Sequence, residues 1–294
     1  MNQQDLSRLV AEILESMGKT WEDRQPVSLP AQQKCESEAP AGSIADVTEI
    51  DLRKLYLTEQ PQNPEEFRRL KARTPARLGM GRAGPRYKTL TLLRFRADHA
   101  AARDAVFSEV PAEYPLTQDF LPVTTCCRDK EEYLTRPDLG RRFDTDTSQV
   151  IRQGLAAKPR VQLVVGDGLS SAAIMHNAAD CLAAIRDSLK LQGIETGKTL
   201  FVRYCRVGAG DAVGDLTGCE LVCMLVGERP GLSTDSSMSC YITYQPHTGI
   251  PESCRTVVSN IHDQGTPAPE AGAFIGELIG KILEKKVSGV ALQL

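Results

Sequence analysis

No apolar run in this sequence approaches the roughly twenty residues needed to cross a bilayer, and no charged-then-apolar signal opens it. No membrane protein is expected. Hydrolytic constellations are also missing: there is no GxSxG elbow, no HExxH helix and no P-loop. The four histidines are too few and too scattered to assign a triad. CxxC pairs do not occur, and the adjacent Cys126 and Cys127 are poorly placed to share one metal, so no metal site is expected. The nine cysteines are an odd count, and Cys205, Cys219, Cys223 and Cys240 fall in runs that read as buried strands. They fit reduced cysteines in a cytosolic protein. A net charge of −3 and 41% hydrophobic residues describe an ordinary globular chain. Its 294 residues predict one main domain and a smaller one.

What is present concentrates in the C-terminal half. Apolar, β-branched runs occur at Arg160–Val165, Thr199–Val207 and Cys219–Val226. Each ends in a glycine-rich loop: Gly166-Asp-Gly168, Gly208-Ala-Gly210 and Gly227-Glu-Arg-Pro-Gly231. Alternation of such runs with helical patterns predicts a mostly parallel sheet, buried on both faces. Ligands of such sheets sit beyond the carboxyl ends of the strands, where these loops lie. The first loop opens a helix at Ser170-Ser171 whose apolar stripe is Ile174, Ala178, Leu182, Ile185 and Leu189. A stand-alone Rossmann-type nucleotide-binding enzyme is one reading of this pattern. Against it, Ser171 replaces the third glycine of the phosphate fingerprint, and Asp187 lies inside the helix and not at the end of the next strand. Glycines that only make tight turns account for the first loop equally well.

Upstream, residues 1–17 place Leu6, Leu9, Val10, Ile13, Leu14 and Met17 on one helical face, with Gly18 as a stop. The polar, proline-bearing stretch 18–44 reads as a flexible linker. Such a helix either folds in a partner's groove or docks on its own domain. Residues 45–110 read as a small basic helical domain, with helices at Ala45–Leu57, Pro64–Leu70 and Asp98–Val110. Between Arg68 and Arg103 eleven Lys or Arg face one acid, a surplus of ten that leaves about −13 on the rest of the chain. This asks for an acidic partner or a self-paired face. Interleaved aromatics are few (Tyr87 and Phe95), so nucleic acid is not expected. Residues 111–294 then form the α/β domain, with a strand at Phe120–Thr125, a loop at Leu139–Arg142, a helix at Thr145–Ala157 capped by Asp144 or Thr145, and a helix at Glu270–Lys286. His176 falls off its helical stripe. His262 ends a strand and fits a hydrogen-bonded structural role better than a catalytic one.

Eight strings in register close the reading: GRAGPR (81–86), LRFRADH (93–99), LTRPDLGRR (134–142), GDGLS (166–170), FVRYCRV (201–207), VGERPGL (226–232), SCY (239–241) and SNIHDQGTP (259–267). Together they resemble the small subunit, or light chain, of ethanolamine ammonia-lyase over roughly residues 45–294. The resemblance implies a Rossmann-like fold with helices on both faces of the sheet. It also implies a chain that shares adenosylcobalamin with a large catalytic subunit, in a hetero-oligomer that converts ethanolamine to acetaldehyde and ammonia. The basic segment would help to pack against that subunit. Carried over by position, the cofactor contacts are Val207 as apolar packing, Glu228 as acceptor for corrin amides, and Val257 just ahead of SNIH. No residue here is expected to be catalytic. The absence of an Asp-x-His-x-x-Gly string implies that cobalt keeps the cofactor's own benzimidazole. Packaging of this pathway in bacterial microcompartments makes 1–17 a shell-targeting helix and places the chain in the cytoplasm, inside such a compartment.

Overall fold

The structure is a computed structural model that describes residues 46–74 and 76–293. The targeting helix expected at 1–17 and the linker at 18–44 lie outside the described residues. In chain order the elements begin with α1 (Pro64–Lys71), β1 (Arg82–Ala83), β2 (Arg86–Tyr87) and α2 (Thr89–Phe107). Next come α3 (Tyr114–Thr117), β3 (Leu121–Thr124), α4 (Lys130–Thr135), α5 (Thr145–Gly154), β4 (Val161–Asp167) and α6 (Ser171–Leu191). Last are β5 (Leu200–Arg203), α7 (Ala209–Thr217), β6 (Leu221–Gly227), β7 (Met238–Tyr244), β8 (Arg255–Ile261) and α8 (Ala268–Lys285). Side-chain caps start the helices where short acceptors stand: Asp144 accepts from the Thr147 amide and Ser170 from that of Ala173.

Six strands form one sheet in the order β3-β5-β4-β6-β7-β8. The first four are parallel, and β7 and β8 run antiparallel. Every residue of β4 and β6 is buried, as continuous apolar runs in a parallel centre require. On one face Leu163, Val165, Cys223 and Leu225 pack with Ile174 and Ile185 of α6 and Ile275 and Ile279 of α8. On the other, Val164, Val202 and Met224 pack with Ile151 of α5 and Val213 of α7. Helices therefore cover both faces. Because α6 and α7 lie on opposite faces, β5 and β6 end up on opposite sides of β4. The loops leaving β4 and β6 part there and leave a crevice.

Three expected elements differ. A helix over Ala45–Leu57 is replaced, from residue 46, by a 3-10 turn at Val47–Glu49 and further turns. Asp46 and Asp51 bond the amides of Thr48 and Arg53, and the carbonyls of Val47, Thr48 and Ile50 accept from Arg94, so a helical ladder has nothing left to use. The helix expected at Asp98–Val110 starts nine residues earlier, at Thr89, and ends at Phe107. Its apolar residues lie all round the axis, leaving Leu93 and Phe107 exposed, so periodicity does not mark its start. The strand expected over Thr199–Val207 stops at Arg203, where Tyr204 takes a left-handed backbone (φ 56°) and turns the chain out of the sheet.

Four of the eleven basic residues are paired internally. Arg77 and Arg94 both bond Asp98, Lys88 bonds Glu59 and Arg69 bonds Glu66. Arg68, Arg82 and Arg103 sit over the rings of Tyr56, Tyr87 and Phe107.

Candidate functional site

The crevice at the carboxyl ends of β4, β5 and β6 is a cleft of about 420 Å³. Leu169 follows β4, Cys205, Arg206 and Val207 follow β5, and Val226 to Arg229 close β6, while Tyr133 and Tyr241 complete the wall. Two of the three expected contacts, Val207 and Glu228, therefore line one cavity. Val257 does not line it. It lies on β8, 45% exposed, in register with Tyr241 of β7, which does line the cleft.

Glu228 is placed by the next strand. Its carboxylate accepts the Ser237 hydroxyl at 2.5 Å and the Ser239 hydroxyl on the other oxygen, and Ser259 Oγ lies 3.1 Å from Ser239 Oγ. The backbone adds a bond from the Glu228 amide to the Ser237 carbonyl at 2.9 Å. Among the described residues Glu228 makes no ion pair with Arg229. A carboxylate held by two hydroxyls keeps its remaining lone pairs directed and available. The signal was in the sequence: Ser237, Ser239 and Tyr241 alternate with the buried Met238, Cys240 and Ile242, so the first three share the face opposite the main core.

The floor is set by residues that sequence reasoning missed. Tyr133 is buried and donates its hydroxyl to the Cys205 carbonyl at 3.1 Å, and burial pushes its titration well above the ordinary range. The Arg206 guanidinium lies 4.2 Å over the Tyr133 ring and gives Nη2 to the Tyr133 carbonyl at 2.8 Å. Its Nε is buried without a partner. Lys130 sits beneath, bonding the Gly168 carbonyl at 3.1 Å, and burial pulls its ammonium down.

The glycine loop after β4 serves close packing. A Cβ on Gly168 would stand 2.6 Å from Val226, and one on Gly166 2.7 Å from the Cys205 sulfur. Segment 108–110 closes the loop from outside. Ser171 bonds the Ser108 carbonyl and Asp167, and Asp167 accepts the Val110 amide at 3.0 Å. Burial pushes the Asp167 carboxyl up, while these bonds pull it down. Glu109 takes Arg203 and the Tyr204 hydroxyl. The hydroxyl of Ser170, which caps the first turn of α6, also bonds the Asp235 carbonyl. The place a dinucleotide pyrophosphate needs is filled by the chain itself.

Elsewhere the histidines are structural or exposed. His262 bonds Asn260 and the Gln264 amide at the exit of β8, and exposed His176 bonds the Ala172 carbonyl of its own helix. Cys181, Cys205, Cys219, Cys223 and Cys240 are buried free thiols, and burial pushes Cys181 up to about 12. Among the described residues no cluster of His, Cys, Asp and Glu could hold a metal ion. Nor is any helix there long and apolar enough to cross a membrane.

Comparison with known proteins gives a single answer. The family model of the ethanolamine ammonia-lyase light chain (EutC) matches residues 64–293. The ethanolamine ammonia-lyase small subunit of Clostridium perfringens is 52% identical over 297 residues, covering 100% of both chains. Those of Clostridioides difficile and Listeria monocytogenes are 51% and 50% identical, again over 100% of both chains.

Proposed function

The chain belongs to the ethanolamine ammonia-lyase light-chain family and is a subunit of an ammonia-lyase; on that premise we propose that its cleft takes one side of adenosylcobalamin in a complex with the large subunit. The observation that carries the reading is the joint placement of Val207 and Glu228 in one cleft at the carboxyl ends of the parallel strands β4, β5 and β6.

The residues present fit the group. Corrin is a broad apolar disc edged with amides, which asks for apolar contact and a few directed acceptors. Val207, Val226, Leu169 and Tyr241 supply the first, and Glu228, held by two serines, the second. Val257 extends the apolar surface along β8 by van der Waals contact. When bound, adenosylcobalamin supplies the cobalt–carbon bond whose cleavage starts the radical conversion of ethanolamine to acetaldehyde and ammonia. This chain's part is to orient and to exclude water. The family resemblance assigns the substrate site to the large subunit.

Assembly has its own surface. Helix α2 leaves Leu93, Phe95 and Phe107 exposed beside the unpaired part of the basic segment. A desolvated contact with an acidic, apolar face of the large subunit suits both features. Residues 1–17 serve docking in a microcompartment, which places the enzyme there within the cytoplasm.

Co-expression with the matching large subunit tests the reading. Stable co-purification, and ammonia release from ethanolamine only with both chains and adenosylcobalamin, is the expected result. A chain that stays soluble alone, ignores the large subunit and binds a nucleotide returns the stand-alone enzyme.

A further inference from the structure

A second chamber adjoins the cleft. It measures about 510 Å³ and lies between α2 and the loop after β6. Leu169, Arg206 and Arg229 line both chambers and form the threshold between them. The far wall carries Val106, Phe107, Leu134 and Leu232, with Arg103 and His99 beside them. No carboxylate lines this chamber. Three guanidiniums therefore converge on an apolar hollow with no counter-charge. Arg103 and Arg229 are exposed and make no salt bridge among the described residues. Arg206 uses one bond to Tyr133, stacks on its ring, and leaves its buried Nε unpartnered.

Such a cluster costs self-repulsion unless an anion relieves it, and guanidinium forks match phosphate oxygens two at a time. The contrast with the first chamber is chemical. Away from the shared threshold, the first chamber offers apolar contact and the Glu228 carboxylate as an acceptor, which suits an amide-edged disc. The other offers apolar contact and cations. A ligand filling both needs an amide-rimmed apolar body joined by a short arm to a single negative group.

We propose that Arg206, Arg229 and Arg103 seat the phosphodiester that ties the cofactor's corrin to its nucleotide arm, while Val207 and Glu228 face the corrin rim. The inference rests on the cobalamin reading above. It adds a division of labour: Glu228 recognises the ring, and the arginines recognise the arm. It also orients the cofactor, since the arm would lie on the side of the cleft lined by Leu169, Arg206 and Arg229.

Cobinamide, a corrinoid without phosphate and nucleotide, separates the two halves. The complex with the large subunit is titrated spectroscopically with cyanocobalamin and with dicyanocobinamide, for the native chain, Arg229→Gln and Arg103→Gln. Both positions are exposed, so neither substitution removes a core contact. The expected result is about a tenfold weaker cobalamin constant in each variant, as loss of one charge-assisted bond predicts. The cobinamide constant should not change. Equal weakening for both corrinoids, or no change for either, overturns the proposal. So does a native complex that holds cobinamide as tightly as cobalamin, although it leaves the cofactor reading intact. A native complex that takes up neither corrinoid sinks both.

Discussion

Glu228 and Ser239 stand eleven residues apart in the chain and are joined by a hydrogen bond from the serine hydroxyl to the carboxylate. The pair links the loop leaving β6 to the strand that follows. It makes the orientation of Glu228 a property of β7. Ser239→Ala should therefore raise the apparent adenosylcobalamin constant of the complex by roughly three- to tenfold, the worth of about 1 kcal/mol of lost positioning. Glu228→Ala should raise it at least as much. The Michaelis constant for ethanolamine should stay put in both. Steady-state kinetics at varied cofactor and varied substrate separate the cases; a shift in the substrate constant alone would move this loop to the substrate site.

Helices α6 and α8 meet through Gly272, where a Cβ would lie 2.4 Å from the Cys181 carbonyl oxygen. Backbone cannot step aside cheaply. Gly272→Ala should cost about 1–3 kcal/mol, the usual penalty of overpacking. Urea unfolding of the full chain, read by circular dichroism, gives the number. An unshifted midpoint would show that the two helices part without penalty.

Acid should loosen the outer edge of the sheet. Arg255 bonds Asp211 in both directions of its fork and Glu252 at 2.7 Å. Its hydrogen bond to Glu252 holds that carboxyl below its ordinary 4.5. A depressed acid contributes stability above the unfolded value, and that contribution is lost as pH falls through the folded one. The unfolding midpoint should thus drop between pH 5 and pH 3, in roughly the range set by carboxylate titration. Glu252→Gln should flatten that drop by lowering the midpoint at pH 7 toward its acid value, because the ionised contribution is then missing at every pH. Parallel acid limbs for the two proteins would assign the loss to other groups.

Removal of residues 1–43 should leave cofactor-dependent turnover of the assembled complex nearly unchanged and reduce its capture in microcompartments. The measurement is ammonia release at equal complex concentration, beside the fraction that co-sediments with shells. Loss of turnover with intact assembly would give the segment a catalytic or assembly role.

The sheet was legible because β4 and β6 are buried on both faces and carry no polar alternation to confuse. Their loops could be read as a binding edge for the same reason. Strand ends were not legible: the left-handed turn at Tyr204 depends on its hydroxyl finding Glu109, ninety-five residues away. Helix α2 hid its start because apolar residues surround its axis. Val207 and Glu228 stood out through the strings around them. Arg206, Tyr133 and segment 108–110 did not, since their roles come from contacts across 57 to 95 residues of chain. The serines that hold Glu228 lay between these extremes, visible as a two-residue rhythm yet without a partner to name until β6 and β7 were side by side.

The short segment at 108–110 has a mechanical consequence. It hangs the end of α2 on four anchor points at the rim of the sheet: Asp167, Ser171, Arg203 and Tyr204. A lever fixed so firmly at one end cannot swing independently of its mount. Any load that another chain places on the exposed side of α2 is borne by the tips of β4 and β5, which are also the rim of the cleft.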